Sequence, residues 1–122
     1  MKDIYNYFLL IRPLNVLVSG LAMIISAAIL DSLDQELMVI LIVLVVMTYT
    51  AGANSINDVL DLEIDKVNCP SRPIPSKNIK KKKVLIFSFF LFLVGSVLSL
   101  QLPPNAYFIS IVVSMPLMVI YS

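Results

Sequence analysis

Long uninterrupted apolar runs constrain this chain more than any other feature. Four stand out: Leu14–Leu30, Leu37–Ile56, Val84–Leu102 and Ala106–Tyr121. A membrane strand needs only ~10 residues of alternating polarity, whereas a helix rising ~1.5 Å per residue needs about 20 to cross a ~30 Å hydrocarbon core. The runs are therefore read as helices, and the expected fold is an all-α membrane bundle of four transmembrane helices. The second and third runs are long enough on their own. The first and fourth are slightly short, though Phe8–Ile11 can extend the first, and Pro116 should kink the fourth. Composition agrees: 59% of the residues are hydrophobic and 14% charged, with a mean hydropathy of +0.94, against about a quarter charged in a soluble domain.

The placement of charge orients the bundle. Lys2 and Arg12 precede the first run, and Lys66, Arg72, Lys77 and Lys80–Lys83 lie between the second and third. The connectors around Asp31–Glu36 and Gln101–Asn105 contain no basic residue. The positive-inside rule then puts the N-terminus, the 57–83 loop and the C-terminus in the cytoplasm, and the expected location is the plasma membrane. A cleavable signal peptide is the competing reading of the first run, but that run is long and no convincing small-x-small cleavage site precedes Asp31. Tyr5, Tyr7 and Tyr107 fall where an interfacial aromatic belt would. Small residues (Ser19, Gly20, Ser26 and Ala27; Ala51, Gly52 and Ala53) permit close helix approach. A net charge of +1 carries no argument for nucleic acid, and no such partner is expected. A single Cys69 cannot form an internal disulfide, and the absence of His excludes histidine-dependent hydrolysis and the usual zinc site.

Chemistry concentrates at the end of the second run, in AGANSINDVLDLEIDKVNCPSRPIPS. Asn57, Asp61 and Asp65 are four apart, so a helix stacks them on one face with about 40° of drift per step. Asp58 and Glu63 add acidic charge. Clustered carboxylates at a membrane boundary repel one another and are costly to desolvate, so a compensating cation is expected. Mg²⁺ suits such oxygen ligands and commonly shares one or two carboxylates with a substrate's phosphates. The bland alternative is a solvated helix end. Three prolines in Pro70–Ser76 should end the helix before a bent loop.

These elements, in order, resemble the UbiA-type intramembrane prenyltransferases. Arg12-Pro13 opens the first helix, the NDxxDxxxD stretch Asn57–Asp65 closes the second, Asp65–Ser76 (DKVNCPSRPIPS) follows, and Tyr121-Ser122 ends the fourth. Within the family, IRPLNVLVSGLA and EIDKVNCPSRPIPS are most similar to the branch that makes the second ether link of archaeal membrane lipids. Aromatic prenyltransferases share much of the same block.

The resemblance implies that Asn57 and Asp61 hold Mg²⁺ against an allylic polyprenyl diphosphate, with Asp65 completing the coordination and Asp58 supporting it. Arg72 and Arg12 would bind diphosphate oxygens, and Asp61, Asp65 and Arg72 would be the catalytic set. Tyr121 and Ser122 match a hydroxyl pair near the diphosphate. The acceptor would be a prenylated glycerol phosphate, or an aromatic compound in the alternative reading, with membrane lipid surrounding the bundle.

Two departures matter. Family members carry a second aspartate-rich motif in a further set of helices, yet no Asp or Glu follows Asp65 here. The chain is therefore expected to be the N-terminal half of such a domain, inactive alone and completed by a separate C-terminal half. Lys77 stands where related members often have Gly, which should alter only the loop. A reading of another class, a non-catalytic membrane binding or assembly subunit, predicts no diphosphate affinity. A small transporter ranks third, because the runs lack intramembrane charge and paired broken helices.

Overall fold

The computed structural model describes residues 2–120, so Tyr121 and Ser122 lie outside the described residues. Among these the regular structure is entirely helical: α1 (Lys2–Ile11), α2 (Pro13–Ile29), α3 (Glu36–Leu60), α4 (Leu62–Asn68), α5 (Lys81–Ser99), α6 (Pro104–Phe108), a π-helical segment (Ile109–Ser114) and α7 (Met115–Ile120). α3 is the central element, packing most extensively on α5 and then on α2. Helices α3 and α5 are long and apolar enough to cross a membrane. α1 and α2, bent by 45° at Arg12, together pass as a third. The stretch 104–120 is apolar but shorter, so length and composition support two or three spans rather than the four expected.

Several boundaries differ from expectation for local reasons. The residues ahead of the first run form a helix of their own, because Pro13 suits a first helical turn but cannot continue the preceding helix. At its other end α2 closes on a Schellman pair: Ser32 N–H donates to Ala27 O at 2.9 Å and Asp31 N–H to Ala28 O at 3.2 Å. The expected loop 57–83 is shorter, since α3 runs on to Leu60, α4 follows and α5 starts at Lys81. Pro116 acts upstream of itself. Its missing N–H and its ring disfavour the α-helical register one turn back, and the π-helical segment occupies that stretch.

Packing uses one stripe of α3. Leu41, Val45, Tyr49 and Ala53, each four apart, form the main core with Phe92 and Leu102, and Met115 and Met118 pack against it. Gly95 lets α5 approach so closely that an added Cβ would lie 2.5 Å from the Tyr49 ring. Phe92 is buried, whereas Phe89 and Phe90 are exposed on the outer face of α5, as lipid-facing residues would be. A second core of Leu10, Val59, Ile74, Ile79 and Val84 ties the loop after α4 to α1, α3 and α5.

Candidate functional site

The second core explains how a loop with three prolines can hold a charged side chain in place. Ile74 and Ile79 are nearly inaccessible, and burying each stabilises the loop by about 1.5–3 kcal/mol. The loop backbone closes on itself through Ser76 N–H to Arg72 O (3.0 Å) and Ile79 N–H to Pro73 O (3.1 Å). Arg72 is therefore presented from an anchored turn.

Arg12 arrives from a distant part of the chain. It sits at the α1–α2 bend with φ 52° and ψ 73°, a left-handed conformation that costs an L-residue about 1–2 kcal/mol. Its Nη2 donates to Asp58 Oδ1 at 2.5 Å. Arg72 Nη1 donates to Asp65 Oδ2 at 2.6 Å and lies 3.7 Å from Asp58 Oδ1. Two guanidinium groups thus meet two carboxylates that are 4% and 5% exposed, and each buried charge has a partner. The hydrogen bond to Asp65 raises the Arg72 pKa; burial opposes this, and the fields of Asp58 and Asp65 reinforce it. A cleft of about 350 Å³ opens over this group, lined by Leu9, Arg12, Asp58, Ser71, Arg72 and Pro73.

The NDxxDxxxD stretch is not one uniform helix. α3 ends at Leu60 and α4 begins at Leu62, but the turn at Asp61 keeps the four-residue hydrogen-bond ladder: Asp61 N–H to Asn57 O and Asp65 N–H to Asp61 O, both 2.8 Å. Asp58 and Asp65, seven apart, face the arginines together. Asn57 and Asp61 are half-buried one turn apart. Among the described residues no three acidic, Cys or His side chains group closely enough to hold a metal by themselves. Asn57 and Asp61 nonetheless offer the hard oxygen donors Mg²⁺ takes when phosphate and water complete its shell. That pair fits the ion, whereas Asp58 is turned to Arg12.

Sequence reasoning missed Asn54. Its Nδ2 donates to Ile11 O at 2.8 Å, across a separation of 43 residues. An amide inside an apolar run, one turn before Asp58, was the available signal.

Fold and site define a helical membrane protein with a cleft in which two guanidinium groups pair with two buried carboxylates. The chain belongs to the UbiA prenyltransferase family, whose model matches residues 13–122. It is similar to digeranylgeranylglyceryl phosphate synthase of Methanosphaera stadtmanae, with 41% identity over 92 residues covering 75% of this chain and 33% of that protein. The enzyme of the same name from Methanoregula boonei is 37% identical over 117 residues, covering 96% of this chain and 41% of that one. A solved structure from work on digeranylgeranylglyceryl phosphate synthase in membranes superposes with a TM-score of 0.83 at 35% identity, covering 99% of this chain and 43% of that one. The chain thus spans roughly two fifths or less of the relatives it matches.

Proposed function

We propose that this chain supplies the first half of a prenyltransferase site that transfers a geranylgeranyl group from its diphosphate to geranylgeranylglyceryl phosphate, in archaeal ether-lipid synthesis. The observation that carries this reading is the meeting of Arg12 and Arg72, from two segments far apart in the chain, over one cleft. Guanidinium forks bind diphosphate oxygens through paired, charge-assisted hydrogen bonds. Neutralising the diphosphate makes it a better leaving group. The C1–O bond then breaks toward an allylic cation, the acceptor hydroxyl forms the new C–O bond and its proton is released. Asn57 and Asp61 would hold Mg²⁺, with Asp65 held close by through Arg72; when bound, the ion adds positive charge at the leaving group. Apolar helices shelter the prenyl tail and keep water from the cation.

The same reading makes 104–120 a fourth crossing, with both termini and the cleft on the cytoplasmic side of the plasma membrane. The remaining ligands would come from a C-terminal half carrying the second aspartate-rich motif. The test is prenyl transfer in membranes from labelled geranylgeranyl diphosphate, with Mg²⁺ and either geranylgeranylglyceryl phosphate or an aromatic acceptor. The chain alone is compared with the chain joined to a family C-terminal half. Ether product only in the joined form, lost on Asp61→Asn, is expected. Product on the aromatic acceptor alone would move the assignment to that branch, and no product with either would reject catalysis.

A further inference from the structure

The bend at Arg12 creates a specific backbone problem. In a continuous helix the Ile11 carbonyl would accept from the N–H of Asn15, four residues on. Here the Asn15 N–H goes to Arg12 O at 2.9 Å, and Val16 N–H reaches the same oxygen at 3.3 Å. The Ile11 carbonyl is met instead by Asn54 Nδ2 at 2.8 Å. One turn further along α3, Asp58 Oδ1 accepts from the guanidinium of the very next residue, Arg12. Two adjacent residues of the bend are thus gripped by two residues four apart on one face of α3. A left-handed arginine persists only where its surroundings over-determine it, and this pair of contacts does so.

We propose that Asn54 and Asp58 are positioning residues, a two-point brace that fixes the bend and aims the Arg12 guanidinium into the cleft. This rests on the reading that the cleft takes a diphosphate, and it assigns Asp58 to the arginine rather than to the metal. Asn54 touches no substrate in this account; it acts on the backbone that carries Arg12. Asp58 acts on the side chain, and its position 3.7 Å from Arg72 lets the same carboxylate set the spacing of both guanidinium groups. An incoming diphosphate then meets two cations already placed, with little left to order on binding.

The test substitutes Asn54→Leu, which keeps size but removes the donor, in the joined, full-length form in vesicles. The KM for geranylgeranyl diphosphate should rise about tenfold, equivalent to about 1.4 kcal/mol, with the KM for the acceptor unchanged. The rise should vanish in an Arg12→Ala background, because nothing remains to be aimed. Amide exchange at Asn15 and Val16 should accelerate about tenfold in the same variant. Asp58→Asn, which keeps shape and loses charge, should reproduce the KM effect if Asn54→Leu does not fold. A loss that persists undiminished on Arg12→Ala, an unchanged KM, or unchanged exchange at the bend would overturn the brace. If the wild-type protein transfers no prenyl group, the functional reading fails by itself and the exchange comparison alone decides the brace.

Discussion

Replacing Gly95 by alanine sets two well-measured effects against each other. In an exposed helix the change is favourable by about 1 kcal/mol. Here the new methyl would sit 2.5 Å from Cε1 and 2.6 Å from Cδ1 of Tyr49, where real contacts need more than 3 Å. Tyr49 has little freedom to retreat. It is 1% exposed, shares a hydrogen bond of 3.2 Å with Ser96 and packs on Phe92 at a ring separation of 5.9 Å. Overpacking of this kind costs about 1–3 kcal/mol, and displacing the ring forfeits about 1 kcal/mol more from the Ser96 bond. The net expectation is destabilisation by about 1–3 kcal/mol, since the gain in helix propensity offsets only part of the loss. Far-UV circular dichroism during SDS titration of the protein in mixed micelles would measure it. In a Tyr49→Ala background the same substitution should become stabilising, because the ring that opposes it is gone. A stabilising Gly95→Ala in the wild-type background, or an equal cost in both backgrounds, would refute the reasoning.

Gly20→Ala is the instructive contrast: its Cβ would meet Met47 Sδ at 2.8 Å, but a thioether chain can swing aside. The same titration should show a change within about 0.5 kcal/mol. Lys77 holds φ 61°, so Lys77→Gly removes about 1–2 kcal/mol of left-handed strain while adding about 0.5–1 kcal/mol of unfolded-state entropy. A small stabilisation should appear as a higher midpoint, and a lower one would argue against strain at that turn. Asp65→Asn weakens the 2.6 Å bond to Arg72, at a cost of about 1–2 kcal/mol given the arginine's partial exposure. Cys69, the single thiol, donates its N–H to Asp65 O and lies in the same turn, so it should react faster with a maleimide in that variant. Unchanged labelling would mean that the Arg72–Asp65 bond does not hold this turn.

Sequence made the helices legible because long apolar runs leave the backbone few alternatives in lipid. It also located the polar block, since Asn57–Asp65 and RPIPS carry their chemistry in local spacing. What it could not give were pairings that depend on tertiary approach. Four-residue spacing suggested Asn57, Asp61 and Asp65 as one ligand face, and the fold adds ion pairs of Asp58 with Arg12, far upstream, and of Asp65 with Arg72. Asn54 meeting Ile11, and Gly95 meeting Tyr49, are contacts over more than 40 residues with no periodic signature. Lys77 was visible as a departure from the family pattern, but its positive φ gives that departure a physical cost.

The π-helical segment at Ile109–Ser114 bears on how this helix tolerates changes of length. Each five-residue hydrogen bond fits one more residue into a turn than an α-helix does. Losing a residue from α3 or α5 would rotate everything beyond it by about 100° and turn Tyr49 or Phe92 out of the core. Losing one from 109–114 would instead let the segment relax to α geometry, while Met115 and Met118 kept their side toward the main core. That stretch carries a spare residue, and shortening the chain there is the indel the bundle can absorb.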